Sequence, residues 1–241
     1  MDWSADAEPM SDVKDEAPFQ RRIRSFVRRE GRMTDGQKEA LARLSERYSL
    51  DHLQGRIDLD AAFGRSAPVS FEIGFGAGDA LLARSAARPD WNHVGVEVHR
   101  PGVGRALIRA EQQNLANLRV MTRDAVEVLR EQIAPGSLAE VVIEFPDPWH
   151  KSRHHKRRLV QPAFVHLVCE RLAPGGVLRL ATDWAHYAEQ MLEVLNAEPS
   201  LENVAADGCY VARPDTRPVT RFEARGERLG HAVFDLAYRR R

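Results

Sequence analysis

The sequence predicts an α/β fold built on a doubly wound, mostly parallel sheet with helices on both faces. Three observations carry that prediction. From residue 69 onward, short β-rich runs alternate with stretches of helical composition at the spacing of βαβ units. A glycine turn, Gly74-Phe75-Gly76-Ala77-Gly78, leaves the first run and enters the first helical stretch. Acids follow the next runs in turn, Glu97, Asp124 and Asp147, at the carboxyl ends where such sheets bind ligands.

Residues 1–19 are polar, acidic and aperiodic, with Asp2, Asp6, Glu8, Asp12, Asp15 and Glu16 against Lys14, and read as a disordered tail. A single domain with a basic N-terminal extension is expected over 20–241. Thr34 is placed to cap a helix over 36–48, with Leu41 and Leu44 on one face. A loop with Gly55, Gly64 and Pro68 follows. The expected strands are 69–73, 93–98, 118–121 and 138–145, the last apolar and long enough to be central. Helices are expected between them at 79–87, 104–113 and 125–132. A helix over 158–172 stops at Ala173-Pro174-Gly175-Gly176 and leads to a strand over 177–182. A helix over 185–195 is closed by Pro199. Two candidate strands, 208–212 and 232–237, flank a loop rich in Pro, Thr and Arg. No internal repeat is evident.

The chain has 241 residues, 43% of them hydrophobic, enough for one sizeable core. No apolar run approaches the roughly 18–20 residues needed to cross a bilayer, so no membrane partner is expected. The acidic N-terminus has no apolar leader segment. Cys169 and Cys209 sit in no metal or redox motif, and two cysteines cannot staple a chain of this size. A reducing, cytoplasmic setting follows. The net charge is zero, but it is patterned. Arg21, Arg22, Arg24, Arg28, Arg29 and Arg32 crowd residues 20–33 against Glu30 alone. Lys151, Arg153, Lys156, Arg157 and Arg158 crowd 151–158 with no acid. Local patches of this kind, not net charge, bind phosphates.

The glycines at 74, 76 and 78 let the backbone turn sharply and let a ligand approach main-chain atoms; an ordinary tight turn has the same look. Glu97 stands where a nucleoside-binding fold needs an acid for ribose hydroxyls, with a solvated strand end as the plain alternative. Asp124 has a helix N-cap as its alternative. Two nucleoside cofactors compete, a nicotinamide dinucleotide and S-adenosyl-L-methionine. The spacing is G-x-G-x-G rather than G-x-G-x-x-G. Glu72, two residues before the first glycine, would repel a pyrophosphate but suits a sulfonium ligand bearing an amino group. The balance favours S-adenosyl-L-methionine.

Phe145-Pro146-Asp147-Pro148-Trp149-His150-Lys151 ends the fourth strand. Two prolines fix the backbone and cannot continue a ladder, so they hold Asp147 and Trp149 in a rigid loop over the crevice. A flat aromatic and an acceptor-only carboxylate suit a nucleobase. The alternatives are a core tryptophan and a turn-capping aspartate. His150 and His154 are four apart but have no third ligand, and no metal site is expected.

That heptapeptide, with Arg153-His154-His155-Lys156-Arg157-Arg158 after it, resembles the signature of the bacterial tRNA (guanine-N7-)-methyltransferase family, TrmB. Other segments agree with it: Arg24-Ser25-Phe26-Val27-Arg28-Arg29, the glycine turn with Glu72, Ala181-Thr182-Asp183-Trp184, and Thr220-Arg221-Phe222-Glu223 with Gly226 and Leu229-Gly230-His231. The similarity spans roughly residues 20 to 240. It implies a class I methyltransferase fold, Rossmann-like, whose seven-stranded sheet is mostly parallel with an antiparallel C-terminal strand. It implies that Glu72, Glu97, Asp124 and Asp147 contact S-adenosyl-L-methionine around the glycine turn, with Asp147 also at the catalytic centre. Lys151, Asp183, Thr220, Arg221, Phe222 and Glu223 are implied in binding substrate, the guanosine at position 46 of the tRNA variable loop. The residues read alone support Glu72, Glu97 and Asp124; they single out Asp183 and 220–223 with much less force.

Guanine N7 carries a lone pair and needs no deprotonation before it attacks a sulfonium methyl. The site's task is therefore in-line placement and stabilisation of a developing cation. Asp147 is the expected residue for that, and for gripping the N1 and N2 hydrogens of guanine. Arg28, Arg29, Lys151, Arg153, Arg157 and Arg158 are candidate phosphate contacts, with a solvated charged face as the alternative. Rival readings are a methyltransferase for another RNA site or a small molecule, a nicotinamide-dependent oxidoreductase, and a non-catalytic tRNA-binding protein. Monomer and homodimer both remain open.

Overall fold

The computed structural model describes residues 31–215, 217–219, 223 and 232–241. The acidic segment 1–19, the arginines at 21–29, and Thr220, Arg221 and Phe222 lie outside the described residues.

The first helix, α1 (Asp35–Tyr48), starts where the sequence places its cap. The Thr34 side chain accepts from the Gln37 N–H while the Gln37 side chain accepts from the Thr34 N–H. A short helix follows where the sequence suggests only a loop. This is α2 (Leu59–Phe63), capped by Asp58 and ended by Gly64 in the left-handed region.

The strands are β1 (Val69–Ile73), β2 (Asn92–Val96), β3 (Leu118–Met121), β4 (Leu138–Glu144), β5 (Leu172–Thr182), β6 (Leu201–Asn203) and β7 (Phe234–Arg240). Between them lie α3 (Asp79–Ala87), α4 (Arg100–Gln112), α5 (Ala125–Glu131), α6 (Pro162–Arg171) and α7 (Ala185–Asn196). One seven-stranded sheet runs in the order β3-β2-β1-β4-β5-β7-β6. The pairs from β3 to β5 are parallel, and β7 is antiparallel to both β5 and β6. The chain turns outward in opposite directions from β1 and β4, which opens a crevice at their carboxyl ends.

Two hydrophobic clusters flank the sheet. Leu44, Leu81, Leu82, Val103 and Leu107 tie α1, α3 and α4 to one face. Val128, Leu129, Phe164, Val165, Tyr187 and Met191 tie α5, α6 and α7 to the other.

Four sequence expectations change. The fourth helix begins a turn earlier than residue 104, because Pro101 sits at its first turn, where a missing N–H costs nothing. The helix expected from Arg158 starts at Pro162 for the same reason, and Ser152–Arg157 form a 3-10 helix before it. The stretch 208–212 is not a strand; only a single bridge from Val211 to Asp235 forms there, and the edge strand is the unanticipated β6. Residues 173–176 do not simply stop a helix. They bulge out of β5 opposite Ala139, where the β4–β5 register shifts.

Candidate active site

A cavity of about 640 Å³ opens at the carboxyl ends of β1 to β4. Gly74, Glu97, Asp124, Asp147, Trp149 and Lys151 are among its lining residues, brought together from four strand ends. Apolar Val96, Val98, Ala125 and Ile143 line it as well. Apolar walls beside carboxylates at successive strand ends suit a nucleoside-bearing ligand such as S-adenosyl-L-methionine.

The glycine turn is held from several sides. Gly74 donates to the Val96 carbonyl at 2.8 Å, and Gly76 donates to the Glu97 carboxylate at 2.8 Å. The other Glu97 oxygen accepts from the His99 N–H at 2.8 Å. Each carboxylate oxygen has a further lone pair, so Glu97 can anchor the turn and still accept from ribose hydroxyls. Gly78 and Gly102 make the close approach possible. A Cβ on Gly78 (φ +83°) would stand 2.8 Å from the Ala106 Cβ, and one on Gly102 would stand 2.3 Å from the Gly76 carbonyl oxygen. Gly76 and Gly78 lie behind Gly74, which alone of the three lines the cavity.

Asp124 caps α5, accepting from the Val126 N–H at 2.9 Å with one of its oxygens, while also lining the cavity. Capping α5 is thus compatible with a place on the cavity wall.

Glu72 is not brought to the cavity. It is 3% exposed on the α3 face of the sheet and receives Arg84 Nη2 at 2.5 Å. Arg84 Nη1 donates to Glu144 at 2.7 Å. Burial pushes the Glu72 carboxyl up, to about 7, against the pull of Arg84. The expectation of an open carboxylate beside a sulfonium is not met here, because alternation along β1 points Glu72 away from the cavity.

Asp147 is exposed on a loop whose ends are both strained. Phe145 has φ +51° and Trp149 φ +47°, in the left-handed region that non-glycine residues avoid. The Arg157 guanidinium lies 5.0 Å from the Trp149 ring centre, and the His154 ring meets it edge-on at 5.9 Å. His150 meets Trp184 edge-on at 4.3 Å, joining this loop to the end of β5.

The family described as "Putative methyltransferase" matches residues 66–236. A tRNA (guanine-N(7)-)-methyltransferase of Ectopseudomonas mendocina (strain ymp) is 56% identical over 220 residues, covering 91% of this chain and 92% of that protein. One of Stutzerimonas stutzeri (strain A1501) is 54% identical over 232 residues, covering 96% and 97%. The chain belongs to the bacterial tRNA (guanine-N7-)-methyltransferase family. Among solved structures, the 16S rRNA methyltransferase KamB aligns with a TM-score of 0.58 at 14% identity, covering 80% of this chain and 98% of that one. That likeness is one of fold.

A basic face lies beside the cavity. Lys151, Arg153 and Lys156 are exposed and Arg157 is half-buried on the 3-10 helix. Partial desolvation, then the charges of Arg157, Arg153, Lys151 and Lys156, hold His154 below its ordinary value. Arg158 departs from this pattern. It is buried, so it cannot serve as the surface phosphate contact the sequence suggests. Asp183 is exposed after β5 and does not line the cavity; Trp184 beside it occupies the N-cap of α7. Glu223 is buried and receives Arg217 at 2.7 Å, while Arg217 also grips Asp235. Thr220, Arg221 and Phe222 lie outside the described residues.

Sequence reasoning missed Arg84, Glu144, Arg217 and Gly102. Arg84 carried a signal: it shares a helical face with the apolar Leu81, where a cation needs a buried acid. Gly102 carried none, since its partner Gly76 belongs to another element. Among the described residues no helix is long and apolar enough to cross a membrane, and no three or more His, Cys, Asp or Glu side chains are grouped to hold a metal ion.

Proposed function

We propose that this chain transfers a methyl group to N7 of a guanosine in tRNA, at position 46 in the variable loop. The methyl donor is S-adenosyl-L-methionine, which supplies an electrophilic methyl on a sulfonium. The observation that carries the reading is the convergence of Glu97, Asp124 and Asp147 on one cavity beside an exposed cationic face, in a member of this family.

Glu97 takes the donor's ribose and Asp124 the edge of its base, across the backbone of Gly74. Glu72 acts from beneath, with Arg84, by fixing the end of β1. Asp147 faces the guanine, accepts from its N1 and N2 hydrogens and stabilises the charge that develops on the purine. No general base is required, because N7 attacks with a free lone pair. Lys151, Arg153 and Arg157 hold tRNA phosphates, and Asp183 and the segment 220–223 complete the substrate side. The unpaired thiols Cys169 and Cys209 fit a reducing cytoplasm.

The test is incubation with unmodified tRNA and labelled donor, followed by digestion and mass spectrometry of nucleosides. The expected product is 7-methylguanosine, mapped to the variable loop. Asp147→Ala is expected to lower turnover on the order of 100-fold or more, with donor affinity retained by calorimetry. A different methylated nucleoside overturns the target, and full turnover by the variant overturns the role of Asp147.

A further inference from the structure

Arg158 closes a run of cations that otherwise face outward, yet it is 2% exposed and among the largest fully buried side chains of the protein. Among the described residues no carboxylate pairs with it. Its Nε donates to the Pro148 carbonyl at 2.8 Å. Its Nη1 donates to Gln190 Oε1 at 2.5 Å and lies 3.1 Å from His186 Nδ1. The guanidinium sits 4.7 Å from the ring centre of Tyr187, while its Nη2 is buried without a hydrogen bond. A buried cation balanced only by neutral acceptors and a ring face is costly, and an apolar side chain of similar volume would fill the space at less expense. Stability alone does not account for it.

Its partners show what it does. The Pro148 carbonyl belongs to the loop that carries Asp147, flanked by Phe145 and Trp149 in the left-handed region. Backbone in such conformations persists only where its surroundings over-determine it. The prolines fix φ at 146 and 148 but exert no hold from outside the loop. Arg158 adds a hold at the Pro148 carbonyl and links it to α7 through Gln190 and His186. The helix is tied back in turn, since the Tyr187 hydroxyl accepts from the Val160 N–H at 3.1 Å and the Gln190 side chain donates to the Val160 carbonyl at 3.3 Å.

We propose that Arg158 is a positioning residue for Asp147: its grip on the Pro148 carbonyl, braced on α7, sets the loop that presents the Asp147 carboxylate, and it makes no contact with tRNA phosphate. The proposal rests on the reading of Asp147 given above.

Arg158→Met, Arg158→Lys and Gln190→Leu separate the two roles, with Asp147→Ala measured beside them. A misplaced loop is expected to lower kcat by roughly tenfold to a hundredfold in Arg158→Met. Affinity for tRNA should stay within about twofold and its dependence on salt should keep the same slope. Arg158→Lys keeps the charge but not the planar fork, and should not restore kcat. Gln190→Leu should show a smaller fall, and the double variant should be no slower than Arg158→Met alone. The proposal is overturned if Arg158→Met weakens tRNA binding with a salt slope shallower by about 0.7–0.9, Arg158→Lys restores it and Gln190→Leu behaves as wild type. Should Arg158→Met fail to fold, Gln190→Leu decides, since wild-type kcat there removes the brace. If Asp147→Ala keeps full turnover, the reading of Asp147 has failed; if it loses turnover while Arg158→Met does not, only the present proposal has.

Discussion

Arg84 reaches two carboxylates at once, Glu72 at 2.5 Å and Glu144 at 2.7 Å, and all three side chains are at most one-tenth exposed. Two acids share one guanidinium, and burial already raises one of them, Glu72, to about 7. Removing the cation and removing one acid are therefore unequal. Arg84→Met leaves two buried carboxylates uncompensated and should cost about 3–5 kcal/mol, read from urea unfolding. Glu72→Gln keeps shape and mimics the protonated acid, and should cost less than about 1.5 kcal/mol. Equal losses would mean that the charge balance described here is not what holds the cluster together. The sequence placed Glu72 correctly at the end of a strand. It could not say which way the carboxylate faces, because that depends on a helix packed over the strand.

The glycine turn shows the same division among elements. Boundaries of β1, α3 and β3 follow from local composition, since each is a short run with its own stop signals. The close seat of α4 on the turn does not. Its Gly102 touches the Gly76 carbonyl, and nothing near residue 102 announces that contact. Gly102→Ala should push α4 away, destabilise by about 1–3 kcal/mol and weaken donor binding by roughly tenfold, as the same energy scale implies when the displaced groups form the site. A thermal melt with donor titration checks both; unchanged donor affinity would mean that the turn tolerates displacement of α4. The late start expected for α4 has a related cause. Arg100-Pro101-Gly102 contains two residues that usually break helices, and only the tertiary seat shows proline opening one.

Acid stability belongs to the whole molecule, because it sums over groups in every layer. His93, on β2 between β1 and β3, is 0% exposed. Burial, then the charge of Arg88, lowers it from 6.5 to about 4. Between those values the unfolded chain binds a proton that the native protein refuses. The His93 contribution is thus fully present above pH 6.5 and lost as pH falls toward 4. Its size is about 3 kcal/mol at most by linkage. Glu72, raised in the folded state, acts oppositely, stabilising below its unfolded value and losing that contribution as pH rises toward 7. Unfolding free energies of wild type and His93→Leu, compared across this window, isolate the histidine: the variant should lose less stability on acidification. Parallel curves would assign the acid sensitivity to other groups.

The sequence by itself determined the alternation of strands and helices, the glycine turn, the rigid loop with Asp147 and the family to which the chain belongs. The first three are written in neighbouring residues, through backbone preference and hydrophobic period; the family was legible through the resemblance of its motifs, residues 145–158 above all. The tertiary structure alone decided which ionisable groups face the cavity, which face the core and which face water. Glu97 and Asp124 line the cavity while Glu72 turns under α3; Arg157 stays at the surface while Arg158 is buried beneath the Asp147 loop. Residues of like chemistry are separated this way because the groups that meet a buried charge, Arg84 for Glu72 and the side chains of α7 for Arg158, come from elements brought near only by folding.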